Sequence, residues 1–270
     1  MIASSKPPLF SFYLFGIMLI VLFLGPYVYT VSPYALGVDA ILQAPSFSHI
    51  LGTDRLGRDL LSRILQGGQV SIIIGVGSAL VATGLGLIAG VIAGYVQGKT
   101  DKAFVISVDL FLTFPTFFLL LALASYMEAS VLILVFIISI TGWMTTARLI
   151  RAESFAITAK PFIKILRVAR VHPLKILFKY YLPMLLPIFL VSFTFGVGGA
   201  ILAESGLSYL GLGVTPPQMS WGSILSEGKE VLDVAWWISF FPGLCIFLVT
   251  FAMINISDYL QKLSNQQPKH

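Results

Sequence analysis

Charge is the first thing this chain has little of: Asp, Glu, Lys and Arg make up 11% of its 270 residues, against roughly 25% in an average soluble domain. That scarcity excludes water as its main solvent. Cysteine is nearly absent, and the one present, Cys245, falls inside an apolar run, which excludes a disulfide framework or a cysteine-rich metal site. Histidine is almost as rare. His49, His172 and His270 lie in three separate segments, so neither a metal site nor a nucleophile with its base can be assembled from them. No catalytic residue, resident metal or cofactor is expected.

What is there in abundance is apolar sequence, 57% of the chain. Six nearly uncharged runs of 18 or more residues stand out: Leu9 to Val31, Val70 to Val96, Ala103 to Met127, Ala129 to Ala147, Met184 to Ala203 and Ala235 to Leu260. Each is long enough to cross a hydrocarbon layer of about 30 Å as a helix. The expectation is an all-α polytopic membrane protein, one domain over residues 1–270, with six transmembrane helices. The first run is too long for a secretory h-region and no small-x-small cleavage site follows it, so it is expected to remain as an anchor behind a short tail, residues 1–8.

The basic residues set the orientation. With both termini cytoplasmic, the inner segments hold Lys6, Lys99, Lys102, Arg148, Arg151, Lys160, Lys164, Arg167, Arg170, Lys175, Lys179, Lys262 and Lys269, thirteen of the seventeen Lys and Arg residues. Arg55, Arg58, Arg63 and Lys229 are left outside, the asymmetry that the positive-inside rule requires. Charges confined to short loops between spans suit a membrane surface and its lipid, and no nucleic acid partner is expected.

Two long polar segments then lie outside, residues 32–69 and 204–234, and one inside, residues 148–183. In the outer one, Leu56, Leu60, Leu61 and Ile64 would share a helical face while Arg58, Asp59 and Arg63 point elsewhere, the pattern of a helix lying in the membrane interface. In the second span Ala82, Gly86, Gly90, Gly94 and Gly98 recur every four residues. Gly86, Gly90 and Gly94 in particular predict close helix packing, which small residues permit in lipid. Gly98-Lys99-Thr100 imitates the end of a phosphate loop, but its first glycine is displaced to Gly94 and it closes an apolar helix where a strand should precede it. No phosphate loop is expected here.

In the inner segment, Pro161 and Pro173 each suit the first turn of a helix. Over the first of these short helices Phe162, Ile163, Leu166 and Ala169 fall on one side, with Lys164, Arg167 and Arg170 spread over the rest. Too short to span, such a helix needs either the lipid surface or a groove in another protein to bury it.

Three further segments carry a likeness: Leu51-Gly52-Thr53-Asp54 with Gly57-Arg58-Asp59 and Ser62-Arg63; Asp109 with Phe114-Pro115; and Ala203-Glu204-Ser205 with Leu207-Ser208-Tyr209-Leu210-Gly211-Leu212-Gly213, Pro216-Pro217 and Ser220-Trp221-Gly222. With the inner segment they resemble the second of the two permease subunits in the dipeptide, oligopeptide and nickel family of ABC importers. The resemblance implies an inner-membrane permease that is not itself an enzyme. It would work beside a second homologous permease subunit, cytoplasmic ATP-binding subunits and an extracytoplasmic substrate-binding protein, and move peptides or nickel. It also implies a cytoplasmic coupling helix, made here of Pro161, Phe162, Ile163, Lys164, Leu166, Arg167, Ala169 and Arg170. The chain keeps Leu182-Pro183 of the family pattern but has Lys164-Ile165-Leu166 where the family has Glu-Ala-Ala, and Arg170 where it has glycine.

Two acidic residues near the ends of spans, Asp109 at the inner end of the third and Glu204 at the outer end of the fifth, are candidates for the translocation path or its gate, because ionisable groups at membrane depth are costly. The local alternative is a helix terminus, the interface or a neighbouring basic residue. A proton-coupled secondary transporter using Asp109 and Glu204 is the competing reading, and it predicts paired acidic groups at the midplane. An intramembrane enzyme would need a facing nucleophile and base, which the spans do not offer.

Overall fold

The computed structural model describes residues 7–266, so Lys6, Lys269 and His270 lie outside the described residues. It is helical throughout. The elements are α1 (Leu9–Val28), α2 (Leu60–Val96), α3 (Gly98–Leu112), α4 (Thr116–Tyr126), α5 (Val131–Ala159), α6 (Pro161–Val168), α7 (Pro173–Ile176), α8 (Leu182–Tyr209), α9 (Trp221–Gly228) and α10 (Trp237–Gln266). Five helical stretches are long and apolar enough to span, and a sixth span results if α3 and α4 count as one, bent by 79°. Among the described residues the one β feature is an isolated bridge between Thr53 and Asp59.

The 37 residues of α2 make a rod about 55 Å long, nearly twice the hydrocarbon thickness. It begins at Leu60, ten residues before the apolar run, so the expected interfacial helix over residues 56–65 does not form. Asp59 caps α2 by accepting a hydrogen bond from the Ser62 N–H at 2.9 Å, and Leu60, Ile64 and Arg63 are all buried while Leu56 is exposed. An arginine can enter this end of the bundle because carboxylates meet it there, as described below.

The third apolar run breaks at Thr113-Phe114-Pro115 because proline disfavours helical geometry in the residue before it and donates no N–H. The inner segment is also shorter than expected. Helix α5 runs on through Arg148 to Ala159, and α7 passes through a π-helical turn at Leu177–Tyr181 into α8, leaving residues 160–172 as the link. Glu204, placed at the start of an outer segment by the sequence, lies inside α8, which continues to Tyr209.

Helices α2, α5, α8 and α10 form the bundle. On α2, a Cβ added to Gly90 would sit 2.6 Å from the Ala147 carbonyl oxygen, and one on Gly86 would sit 2.9 Å from Thr146 Cβ, both on α5. Gly94 meets Ser154 of the same helix. The strip stops there: Gly98 has open space and φ +63° and belongs to the turn into α3. Helix α1 flanks the bundle, burying only Ser11 and Leu22, as a helix facing lipid would.

The long helices define two ends. One carries residues 29–59 and α9; the other carries the turn from α2 to α3, together with α6 and α7.

Candidate functional site

Between the two ends, α2, α4, α5, α8 and α10 wall a cavity of about 490 Å³. Its lining is mostly small and hydroxylic, with Ser78, Thr83, Thr116, Thr141, Thr145, Thr146 and Ser192 among glycine and alanine. Gly142 and Gly196 let α5 and α8 come close to α2, where an added Cβ would sit 3.7 Å from Ala82 Cβ and 3.3 Å from Ala79 Cβ, while Gly199 faces open space. Such a surface offers hydrogen bonds to a polar solute while presenting few fixed charges. The one ionisable residue lining it is Asp258 of α10, which the sequence reading passed over.

Asp109 and Glu204 do not line this cavity, and the structure does not bring them together. Asp109 forms an ion pair with Arg148 of α5, both side chains about half exposed. Glu204 is fully buried. Its Oε1 accepts hydrogen bonds from the Ser208 and Ser220 hydroxyls, each at 2.6 Å. Because Ser220 is also the N-cap of α9, the carboxyl ties that short helix to α8. Trp221 completes the attachment: its backbone N–H donates to Ser71 Oγ at 3.0 Å and its indole N–H to the Ile64 carbonyl at 3.0 Å. The midplane acid pair of a proton-coupled carrier is therefore replaced by two separate local arrangements.

The α9 end is held by buried charge. Arg63 donates to Glu227 through Nη1 at 2.7 Å and Nη2 at 2.9 Å, and Nη1 also donates to Asp54. Arg58 reaches the same two carboxylates, Asp54 at 2.6 Å and Glu227 at 3.0 Å. Arg63 and Asp54 each show 1% of their side-chain surface. Beside them, Asp59 accepts from the Tyr29 hydroxyl at 2.9 Å and pairs with His49 Nδ1 at 3.0 Å. Burial and the neighbouring carboxylate push the Tyr29 phenol up to about 12. Position 52 requires glycine here, because its φ is +82° and a Cβ would meet the Gln43 carbonyl at 2.6 Å.

At the other end, α6 has two different faces. Ile163 is buried and Leu166 half-buried against Ile150, Ile157, Ile176, Tyr181 and Leu185, so these two, expected beside Phe162 on a face for another surface, pack on the chain's own core. The bare apolar residues are Ile165 and Val168, 67% and 84% exposed, whereas Phe162 is partly covered and tilts its ring on Tyr180 with centroids 6.0 Å apart. Arg167 stacks on the Tyr95 ring, 4.1 Å from its centroid, and donates to the Tyr95 carbonyl at 2.7 Å. Thr158 meets the Tyr181 hydroxyl at 2.6 Å and donates to the Gly94 carbonyl at 3.1 Å. These contacts fasten α6 and its surroundings to α2, α5 and α8, three of the cavity's walls. Arg170 closes α6 with φ +54°, the conformation that favours glycine at a helix C-terminus. His172 caps α7 through its backbone alone. Gly98, Lys99 and Thr100 open α3 directly after α2, which is a helix-to-helix turn and no setting for a phosphate loop.

Comparison with known proteins bears on this arrangement. Residues 86–267 match the family described as binding-protein-dependent transport system inner membrane component. The chain is similar to the oligopeptide transport system permease protein OppC of Mycobacterium tuberculosis, 33% identical over 237 residues that cover 86% of this chain and 81% of that protein. It is also similar to OppC of Haemophilus influenzae, 34% identical over 213 residues, 79% of this chain and 68% of that protein. With its spans, its cavity and this likeness along most of its length, the chain belongs to the binding-protein-dependent transport system inner membrane components and is a permease subunit of an ABC importer.

Proposed function

We propose that this chain is half of the membrane pathway of an ATP-driven peptide importer, with α6 as the helix on which cytoplasmic ATP-binding subunits act. The observation that carries this reading is α6 itself. A helix of eight residues cannot span, one of its apolar faces is already used for internal packing, and the other is bare. The positive-inside rule supports a cytoplasmic α6 end, because Lys99, Lys102, Lys164, Arg167, Arg170, Lys175 and Lys179 all lie there. Both termini are then cytoplasmic, the membrane is the inner one, and the α9 end faces the extracytoplasmic binding protein. A second homologous permease closes the open side of the cavity. Of the two cargo classes open from the sequence, peptide is the one named in the relatives, and hydroxyl-lined walls suit peptide backbone groups.

The mechanism follows from the fastening of α6. A partner that pulls or pushes the bare face moves Ile163, Leu166 and Arg167 with it, and through them the ends of α2, α5 and α8. Packed helices shift as rigid bodies between discrete arrangements, so the cavity would open alternately to the two sides. The Asp109–Arg148 and Asp101–Arg151 ion pairs carry α3 along with α5.

The test is the double substitution Ile165→Asp with Val168→Asp. Co-purification with the ATP-binding subunits is expected to be lost while membrane insertion and thermal stability stay as in the wild type; unchanged co-purification would sink the assignment of α6. A companion measurement uses vesicles. Uptake by the lone chain under a proton gradient, with no ATP, would replace the importer reading by a secondary transporter.

A further inference from the structure

Asp258 is the residue the proposed mechanism leaves without a task. It sits on α10, about 30 Å along the helix from Trp237, which places it where the cavity approaches the α6 end. Ser192, Ser257 and Gln261 line the cavity around it. The side chain is exposed to that space. It makes no hydrogen bond or ion pair among the described residues: Lys262, one turn further along α10, does not close on it, and Arg148, beside the lining residue Leu149, is occupied by Asp109. A carboxylate in a spanning helix that has neither partner nor burial, facing an otherwise uncharged wall, is placed for something that passes.

We infer that Asp258 contacts the cargo, attracting cationic groups of a peptide, a lysine or arginine side chain or the terminal ammonium, at the cytoplasmic mouth of the path. This rests on the peptide-importer reading above. One carboxylate among hydroxyls and amides is enough to draw a cation toward the exit, and too few ligands to hold it there, the balance that conduction through a pore also requires. It is a specificity element: cargo with added positive charge gains from it, neutral cargo gains less, and cargo with added negative charge is opposed.

The experiment uses the complete importer, with its binding protein and ATP-binding subunits, in proteoliposomes supplied with Ala-Lys-Ala, Ala-Ala-Ala or Ala-Glu-Ala. For each peptide the uptake rate of Asp258→Asn is divided by that of the wild type, so selectivity exerted upstream cancels. The ratio is expected to fall roughly five- to tenfold lower for the lysine peptide than for the alanine peptide, the scale of one charge-assisted hydrogen bond, and to be highest for the glutamate peptide. Asp258→Glu should restore the wild-type order. Three equal ratios overturn the inference, whether all are near one or all are reduced by poor assembly, and so does a reversed order. A wild-type importer that moves none of the three peptides overturns the peptide reading and this inference with it, a result distinct from equal ratios.

Discussion

The two ends of the bundle are built on opposite plans. At the α9 end the central charges are inside: Arg63, Asp54 and Asp59 are almost fully covered, and each carboxylate serves two or more donors, while the Arg55–Glu230 pair lies at the surface. Toward the α6 end the ion pairs lie nearer solvent, half-exposed in Asp109–Arg148 and partly covered in Asp101–Arg151, and on α6 the bare groups are apolar, Ile165 and Val168. Buried ion pairs are specific in geometry and expensive to break on one side, whereas exposed pairs contribute about 0–1 kcal/mol and tolerate rearrangement. The difference teaches where motion belongs. An end locked by a largely buried network is suited to hold α2, α9 and the 29–59 segment in one geometry; an end held by packing and more exposed pairs can follow a partner.

The sharpest way to break this comparison is Arg63→Ala. It removes one of the two guanidinium groups that Asp54 and Glu227 share and leaves the buried Asp54 to Arg58 alone, which should cost up to about 3–5 kcal/mol, read as a fall in the thermal unfolding midpoint of the detergent-solubilised chain or as loss of accumulation in the membrane. A cost below about 1 kcal/mol would mean that the α9 end is no more fixed than the α6 end. Next in size is the seam that joins the two ends. Gly90→Leu places a side chain where even a Cβ would meet the Ala147 carbonyl oxygen at 2.6 Å, and overpacking of this kind costs about 1–3 kcal/mol. Gly84→Ala on the same helix, where a Cβ has open space, is the control and should change the midpoint little.

Much of this architecture is legible in the sequence because lipid enforces simple rules. A spanning helix must be apolar for about 20 residues, and glycines every four residues on α2 leave few uses other than close packing. What escaped was whatever depends on partners far along the chain. Arg63 reads as a polar-face residue until Glu227, 164 positions away, is known to meet it. Asp258 is concealed by its place at the tail of an apolar run, and its lack of a partner is a property of the fold. On α6, Phe162, Ile163, Ile165, Leu166 and Val168 spread apolar atoms around most of the helix. Periodicity alone could not say that Ile163 and Leu166 turn inward and that Ile165 and Val168 stay bare.

The smallest expected effect tests the α6 end by relieving it. Arg170 holds φ +54°, where an L residue with a Cβ is strained by roughly 1–2 kcal/mol, while its backbone N–H closes the helix on the Arg167 carbonyl at 3.0 Å. Glycine occupies that conformation without the clash but loses more chain entropy on folding, so Arg170→Gly should raise stability by about 0.5–1 kcal/mol. The arginine side chain is exposed and makes no hydrogen bond or ion pair among the described residues. Capture of the ATP-binding subunits should therefore be unchanged or slightly improved, measured by co-purification alongside the thermal midpoint. A gain in stability accompanied by lost capture would move the docking surface from Ile165 and Val168 toward the helix's C-terminal charge, and the α6 end would then be read as an electrostatic contact in place of an apolar one.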